Sequence, residues 1–297
     1  MSTQKSDFEC FAKLSTSLYA LNSADNENFG SLLRTVYEFP KGKEVMNDVA
    51  FKGYKFLYEA MMGVNGACDY DHKTVRLNSF FRQNDLAPIL VHECTHVRQV
   101  DRLLEKTGVE KAGSFINALD AYDFIKLNRA LEADACAHQA AFAYQMKDRY
   151  PQVFEKEMKT PMMQAYSAEM DKSGDETKAM QASFKAWYCF KNYQESYEKQ
   201  FLAQLKFNAE NKAKNPAAES KKISNEEIAA LCLHNGSSYI SPALFDQAEN
   251  MAISAQGKEK LLQLNDKSAA RLPVRGETKE KIPAPVLVKA AVRSKGR

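Results

Sequence analysis

The chain has 297 residues, 44% apolar and 27% charged, the composition of a water-soluble globular protein with enough length for a real core. Its net charge of +3 excludes a uniformly basic nucleic-acid binder, and it has no apolar run of about eighteen residues that would span a bilayer. Six scattered cysteines with no C-x-x-C pair read as separate buried thiols in a reducing, cytoplasmic setting rather than as a disulfide framework.

The N-terminus opens M-S-T-Q-K-S-D-F-E-C, and Lys13 and several serines interrupt its first apolar positions, unlike the core of a secretion signal. Residues 8–21 and 43–62 carry helical periodicity, the second with Val45, Val49, Phe56 and Ala60 recurring near 3.6 and Gly53 as its weak point. Gly63 to Asp71 reads as a loop. Lys73 to Ser79, K-T-V-R-L-N-S, alternates Val75 and Leu77 with polar residues, the pattern of a half-buried or edge strand. Asp85 is placed to cap a helix over 86–104, with Pro88 early in it.

Gly108 and Gly113 bracket a break, followed by helices over 115–126 and 128–149 that end before Pro151. Residues 151–175 hold two short helical stretches, and 175–208 read as one long aromatic-rich helix. Asn211 to Lys222 is polar and alanine-rich. Ser224 and Glu227 form a capping-box pattern ahead of a short helix. The expectation is a mainly α, α+β fold: a helical body over 1–208 with one small strand element, a linker over 209–222, a short helical accessory region over 223–263, and a basic tail over 264–297. That tail carries nine Lys/Arg against three Asp/Glu, so the chain's positive charge resides there. Three prolines among its charges read as disorder. It suits an acidic partner, but without an aromatic residue it is poorly equipped to stack on bases.

The chemistry sits in the helix over 86–104, in the pentad His92-Glu93-Cys94-Thr95-His96. Two histidines four apart share one helix face, so both imidazoles can reach one tetrahedral Zn²⁺, and Glu93 is a carboxylate able to take a proton from water. A catalytic zinc needs a third protein ligand. Its source is sought in A-L-E-A-D-A-C-A-H. Glu132 shares a mostly apolar face with Ala135, Cys136, Gln139, Phe142 and Ala143, so it should point inward. Asp134, on the face of Ala137, His138 and Ala141, is the rival, and His138 is a third option.

H-E-x-x-H followed by L-E-A-D-A resembles the zincin metallopeptidases of the gluzincin kind, and more closely a group of bacterial metallopeptidase-domain proteins. The likeness covers about residues 70–200. The resemblance implies His92, His96 and Glu132 as zinc ligands, Glu93 as the base that activates a zinc-bound water, and peptides or proteins as substrates. Many gluzincins place an Asp four residues after the ligand Glu, where this chain has Cys136; matching Asp134 to it instead leaves Ala130 in the ligand position. A supporting carboxylate must then come from elsewhere, with Asp101 and Asp120 as candidates. Thr95 also stands where a Gly is often found.

Two further expectations complete the reading. Tyr193 and Tyr197 are candidates to donate to a developing oxyanion, against the plainer role of packing. The Lys73–Ser79 strand is a candidate edge for pairing an extended substrate. The alternative function is a peptidase-like module that binds metal but turns over little, with Cys94 and Cys136 making the site sensitive to oxidation.

Overall fold

The computed structural model describes residues 5–19, 23–214 and 220–276. Three helices come first: α1 (Asp7–Ser15), α2 (Ser23–Tyr37) and α3 (Pro40–Val49). The helix expected over 43–62 stops at Val49. Gly53 takes φ +79°, which an L side chain rarely adopts, and the chain reverses there into the strand β1 (Lys55–Glu59). Tertiary packing overrides the helical spacing, because Phe56 is drawn into the core beside Phe29.

The expected loop over 63–71 contains a second strand, β2 (Gly66–Asp69), and β3 (Thr74–Asn78) follows. The sheet order is β1-β3-β2, with β1 parallel and β2 antiparallel to β3. The strand reading of 73–79 therefore holds, but β3 is central and both its edges are taken. It cannot pair a substrate. Leu18 bridges to Phe56 of β1, whereas β2 has no strand on its outer side among the described residues. Phe56, Val75 and Leu77 line the buried face of the sheet.

The site helix α4 runs Gln83–Thr107, longer than expected at both ends. Asp85 sits in its first turn rather than at its cap, where its charge favours the N-terminal dipole, and Gly108 closes it at φ 65° with N–H donating to Leu104 O. A short α5 (Ala112–Ile116) leads to α6 (Ala121–Gln145), one helix where two were expected. Asp120 caps it by accepting from Asp123 N, and Asn128 lies inside it, donating to Phe124 O.

Twenty of the twenty-five residues of α6 are buried, so it is a central rod rather than a one-faced surface helix. Its alanines let neighbours approach closely: α4, α7 (Pro151–Glu157), α8 (Pro161–Ser173) and α9 (Glu176–Cys189) pack around it. The long helix expected over 175–208 breaks at Phe190, whose ψ is 94°, and resumes as α10 (Lys191–Lys214). That break lets Phe184 and Trp187 point into the α6 core while Tyr197 returns to it from a new direction.

Residues 220–276 form α11 (Asn225–Ala229), the hairpin β4 (Leu233–His234) and β5 (Ser237–Ser238), α12 (Ala248–Met251) and α13 (Ala255–Gln263). Ile228, Leu231, Tyr239 and Phe245 share one core with Phe184 and Trp187. Charged groups fasten this segment to α6 and α10. Arg129 donates to Asn250 O and Ala252 O, Asp266 accepts from Ala121 N, and Arg275 meets Glu198. Leu264–Gly276, part of the expected tail, thus packs against the body. The disorder expected of residues 277–297 lies outside the described residues. No helix among the described residues is long and apolar enough to cross a membrane.

Candidate metal centre

His92 and His96 project from the same side of α4 with their rings edge to face, centroids 4.9 Å apart, and their Nε2 atoms 3.2 Å apart. Glu132 comes from the middle of α6. Its Oε2 lies 3.6 Å from His92 Nε2 and its Oε1 3.6 Å from His96 Nε2. Among the described residues this is the group of three His, Cys, Asp or Glu side chains placed to hold a metal ion. The His92 and Glu132 side chains keep 13% and 19% of their surface, so the cluster opens to solvent on that side.

Hydrogen bonds behind the cluster settle which way His96 faces. Gln99, fully buried, donates through Nε2 to Leu131 O at 3.0 Å and to Asp134 Oδ2 at 2.6 Å. Its Oε1 is then an acceptor, 2.9 Å from His96 Nδ1, which must carry the ring proton. The lone pair of His96 Nε2 is left pointing into the cluster. Tyr239, from the segment after β5, completes the chain by donating to Asp134 Oδ1 at 2.8 Å.

Glu132 is held from the other side by Tyr197, whose hydroxyl donates to Oε2 at 2.7 Å. Burial alone would raise the Glu132 carboxyl, but the His96 and His92 imidazoles and the Tyr197 hydroxyl outweigh it and hold the group at about 2. Glu93 behaves oppositely. It is 7% exposed, and burial pushes it up to about 7, with the Glu132 charge adding and the His96 imidazole opposing. Gly66 of β2 is the reason it is so enclosed. A Cβ there would lie 2.7 Å from Glu93 Oε1 and 2.9 Å from Ile89 Cγ2, so only glycine lets the strand pass this close.

The donor set, two imidazoles and a carboxylate, is one that can hold a metal ion. The two Nε2 atoms are 3.2 Å apart, each lies 3.6 Å from a different oxygen of Glu132, and one ligand atom from each of the three residues falls within 4.8 Å of the others. His92 Nδ1 is buried with no hydrogen-bond partner, so no neighbour fixes which ring nitrogen of His92 carries its proton, and its Nε2 can turn a lone pair to a cation beside that of His96. Two imidazoles and one carboxylate also leave one position free, as a catalytic site requires.

Residues 9–240 match the family model described as "Putative metallopeptidase family (DUF6782)". The chain belongs to that family. No curated protein and no solved structure matches it. The match to this metallopeptidase family runs past α10 into the hairpin segment, the part of the chain that supplies Tyr239 to the cluster.

The other residues singled out from sequence fall as follows. Asp134 and His138 are buried outside the cluster: Asp134 is bound by Gln99 and Tyr239, and His138 Nε2 donates to Leu233 O at 3.1 Å. Asp101 pairs with Lys52 and Asp120 caps α6, so neither supports a histidine; Asp134 does, with Gln99 interposed. Tyr193 lies beside Tyr197, ring centroids 6.2 Å apart. Cys94 and Cys136 are buried, and burial pushes both thiols well above their ordinary range, which keeps them out of the reactive thiolate form. Gln99, Gly66 and Tyr239 were not anticipated. Only Gln99 had a signal, since it stands three residues after His96 on the same helix face.

Proposed function

We propose that the chain is a zinc-dependent endopeptidase of the gluzincin kind, with His92, His96 and Glu132 as zinc ligands and Glu93 as general base. The observation that carries this reading is the convergence of two Nε2 atoms and a carboxylate within 4.8 Å of one another, with a second carboxylate buried alongside. Bound zinc supplies Lewis-acid activation of water and of the scissile carbonyl.

The chain's own residues supply the rest. Glu93, adjacent to His92 and about one turn before His96, accepts the proton of the attacking water and passes it to the departing amine. The Gln99–Asp134–Tyr239 chain fixes the His96 ring in the tautomer that ligates through Nε2. Tyr197 commits its hydroxyl proton to Glu132, which leaves Tyr193, beside it, as the phenol for the carbonyl oxygen while Tyr197 can serve there only by releasing Glu132. The outer edge of β2, passing over Glu93 at Gly66, is suited to hold an extended peptide by backbone pairing.

The experiment is metal analysis joined to a cleavage assay. Protein purified without chelator should carry about one zinc per chain and cleave peptides, Glu132→Ala should lose the zinc, and Glu93→Gln should keep it and lose cleavage. Stoichiometric zinc with no cleavage by the wild type would leave a metal-binding module in place of an enzyme.

A further inference from the structure

Three apolar side chains stand exposed at the end of β2 that lies against Glu93. Met62 is 89% exposed, Phe80 70% and Val64 45%, in a chain whose large apolar side chains are mostly buried. They do not ride on a loose loop. The Asn78 side chain, itself buried, donates to Met61 O and Val64 O at 2.7 Å each and accepts from Phe80 N at 3.1 Å and Met61 N at 3.4 Å. The Asn78 backbone N–H also donates to Asn65 O at 3.1 Å. One residue thus ties together the backbone of both turns that carry these apolar side chains.

The platform they form lies just beyond the N-terminal end of β2, whose outer edge is open among the described residues. Val64 precedes Gly66 by two residues, and Gly66 lies against Glu93. A peptide paired along that edge places alternate side chains on one face. A peptide that runs past Gly66 toward the start of β2 brings a side chain about two residues further on over Val64, with Met62 and Phe80 on the turns that Asn78 joins. Ala60 to Ala67 contains no charged residue, so nothing there would welcome a charged occupant.

Resting on the peptidase reading of the site, we propose that this platform is a specificity subsite, selecting peptides with a large apolar side chain two residues from the position over Gly66. The test is a peptide library cleaved by the zinc-loaded wild type and by a Val64→Asp, Phe80→Asp double variant, both changes being at exposed positions. The wild type should prefer an apolar residue over serine by about tenfold or more at one position near the scissile bond, and the double variant should lose that preference. Cleavage without apolar preference, or a preference that survives in the variant, overturns the platform and leaves the peptidase reading intact. If the wild type cleaves nothing, that reading fails, and retention of the same peptides on immobilised zinc-loaded protein decides the platform: selective capture of apolar peptides, absent in the variant, supports it, and equal capture overturns it. A wild-type dimer in sedimentation that Phe80→Asp dissociates would mean that a second copy covers the surface, and would overturn it too.

Discussion

Gln99 stands between His96 and Asp134, its amide oxygen 2.9 Å from His96 Nδ1 and its amide nitrogen 2.6 Å from Asp134 Oδ2. The amide has two ends of opposite character, so it transmits the carboxylate's demand for a donor into a fixed ring tautomer. Replacing Gln99 by Leu should weaken zinc binding about 10–100-fold, as loss of such a supporting partner does. Chelator competition measures this. The same variant leaves Asp134 Oδ2 without its buried donor and should lower stability by about 1–3 kcal/mol, read from urea unfolding.

Tyr197→Phe removes the hydroxyl that bonds Glu132 Oε2 but leaves the carboxylate in the cluster. Zinc should remain bound at about one per chain, with affinity falling by less than in Gln99→Leu, whereas Glu132→Ala should lose the metal outright. Loss of zinc from Tyr197→Phe would mean that Glu132 cannot stay in the cluster without the Tyr197 hydroxyl.

Gly66→Ala tests the closeness of β2 to Glu93. The added Cβ meets Glu93 Oε1 and Ile89 within 3 Å, so the strand or the carboxylate must move. Zinc content should be unchanged, turnover should fall, and stability should drop by about 1–3 kcal/mol. Unchanged turnover would place Glu93 outside the chemistry.

Glu93 also gives a pH signature in zinc-stripped protein. Its carboxyl ionises at about 7 in the folded chain against an ordinary 4.5, because burial disfavours its charge. Between those values the folded state keeps a proton that the unfolded chain has released, so stability falls as pH rises through the window and is level above it. The Glu93 share of that fall is about 3 kcal/mol, seen as a difference in urea midpoint between pH 4.5 and pH 8. Glu93→Gln should remove it.

What the sequence disclosed and what it hid follow one physical division. The shared side of His92 and His96 could be read because helical spacing alone brings them together, and the inward place of Glu132 because the face it shares with Phe142 and Ala143 had to turn inward. The strands β1 and β2 were hidden because pairing across the chain, not local preference, creates them: Lys55–Glu59 keeps helical spacing, and Gly66-Ala67-Cys68-Asp69 carries no β-branched or aromatic residue. The break at Phe190 was hidden because an aromatic-rich run is equally compatible with one helix or two. Tyr239 was beyond reach for the same reason, since 105 residues of chain separate it from Asp134.

Zinc content of freshly purified protein, measured with cleavage by wild type and Glu93→Gln side by side, tests the central claim most directly. The account predicts about one zinc per chain in both proteins and peptide cleavage by the wild type alone. Protein purified without chelator that carries no stoichiometric metal, or Glu93→Gln protein that cleaves as the wild type does, would contradict it.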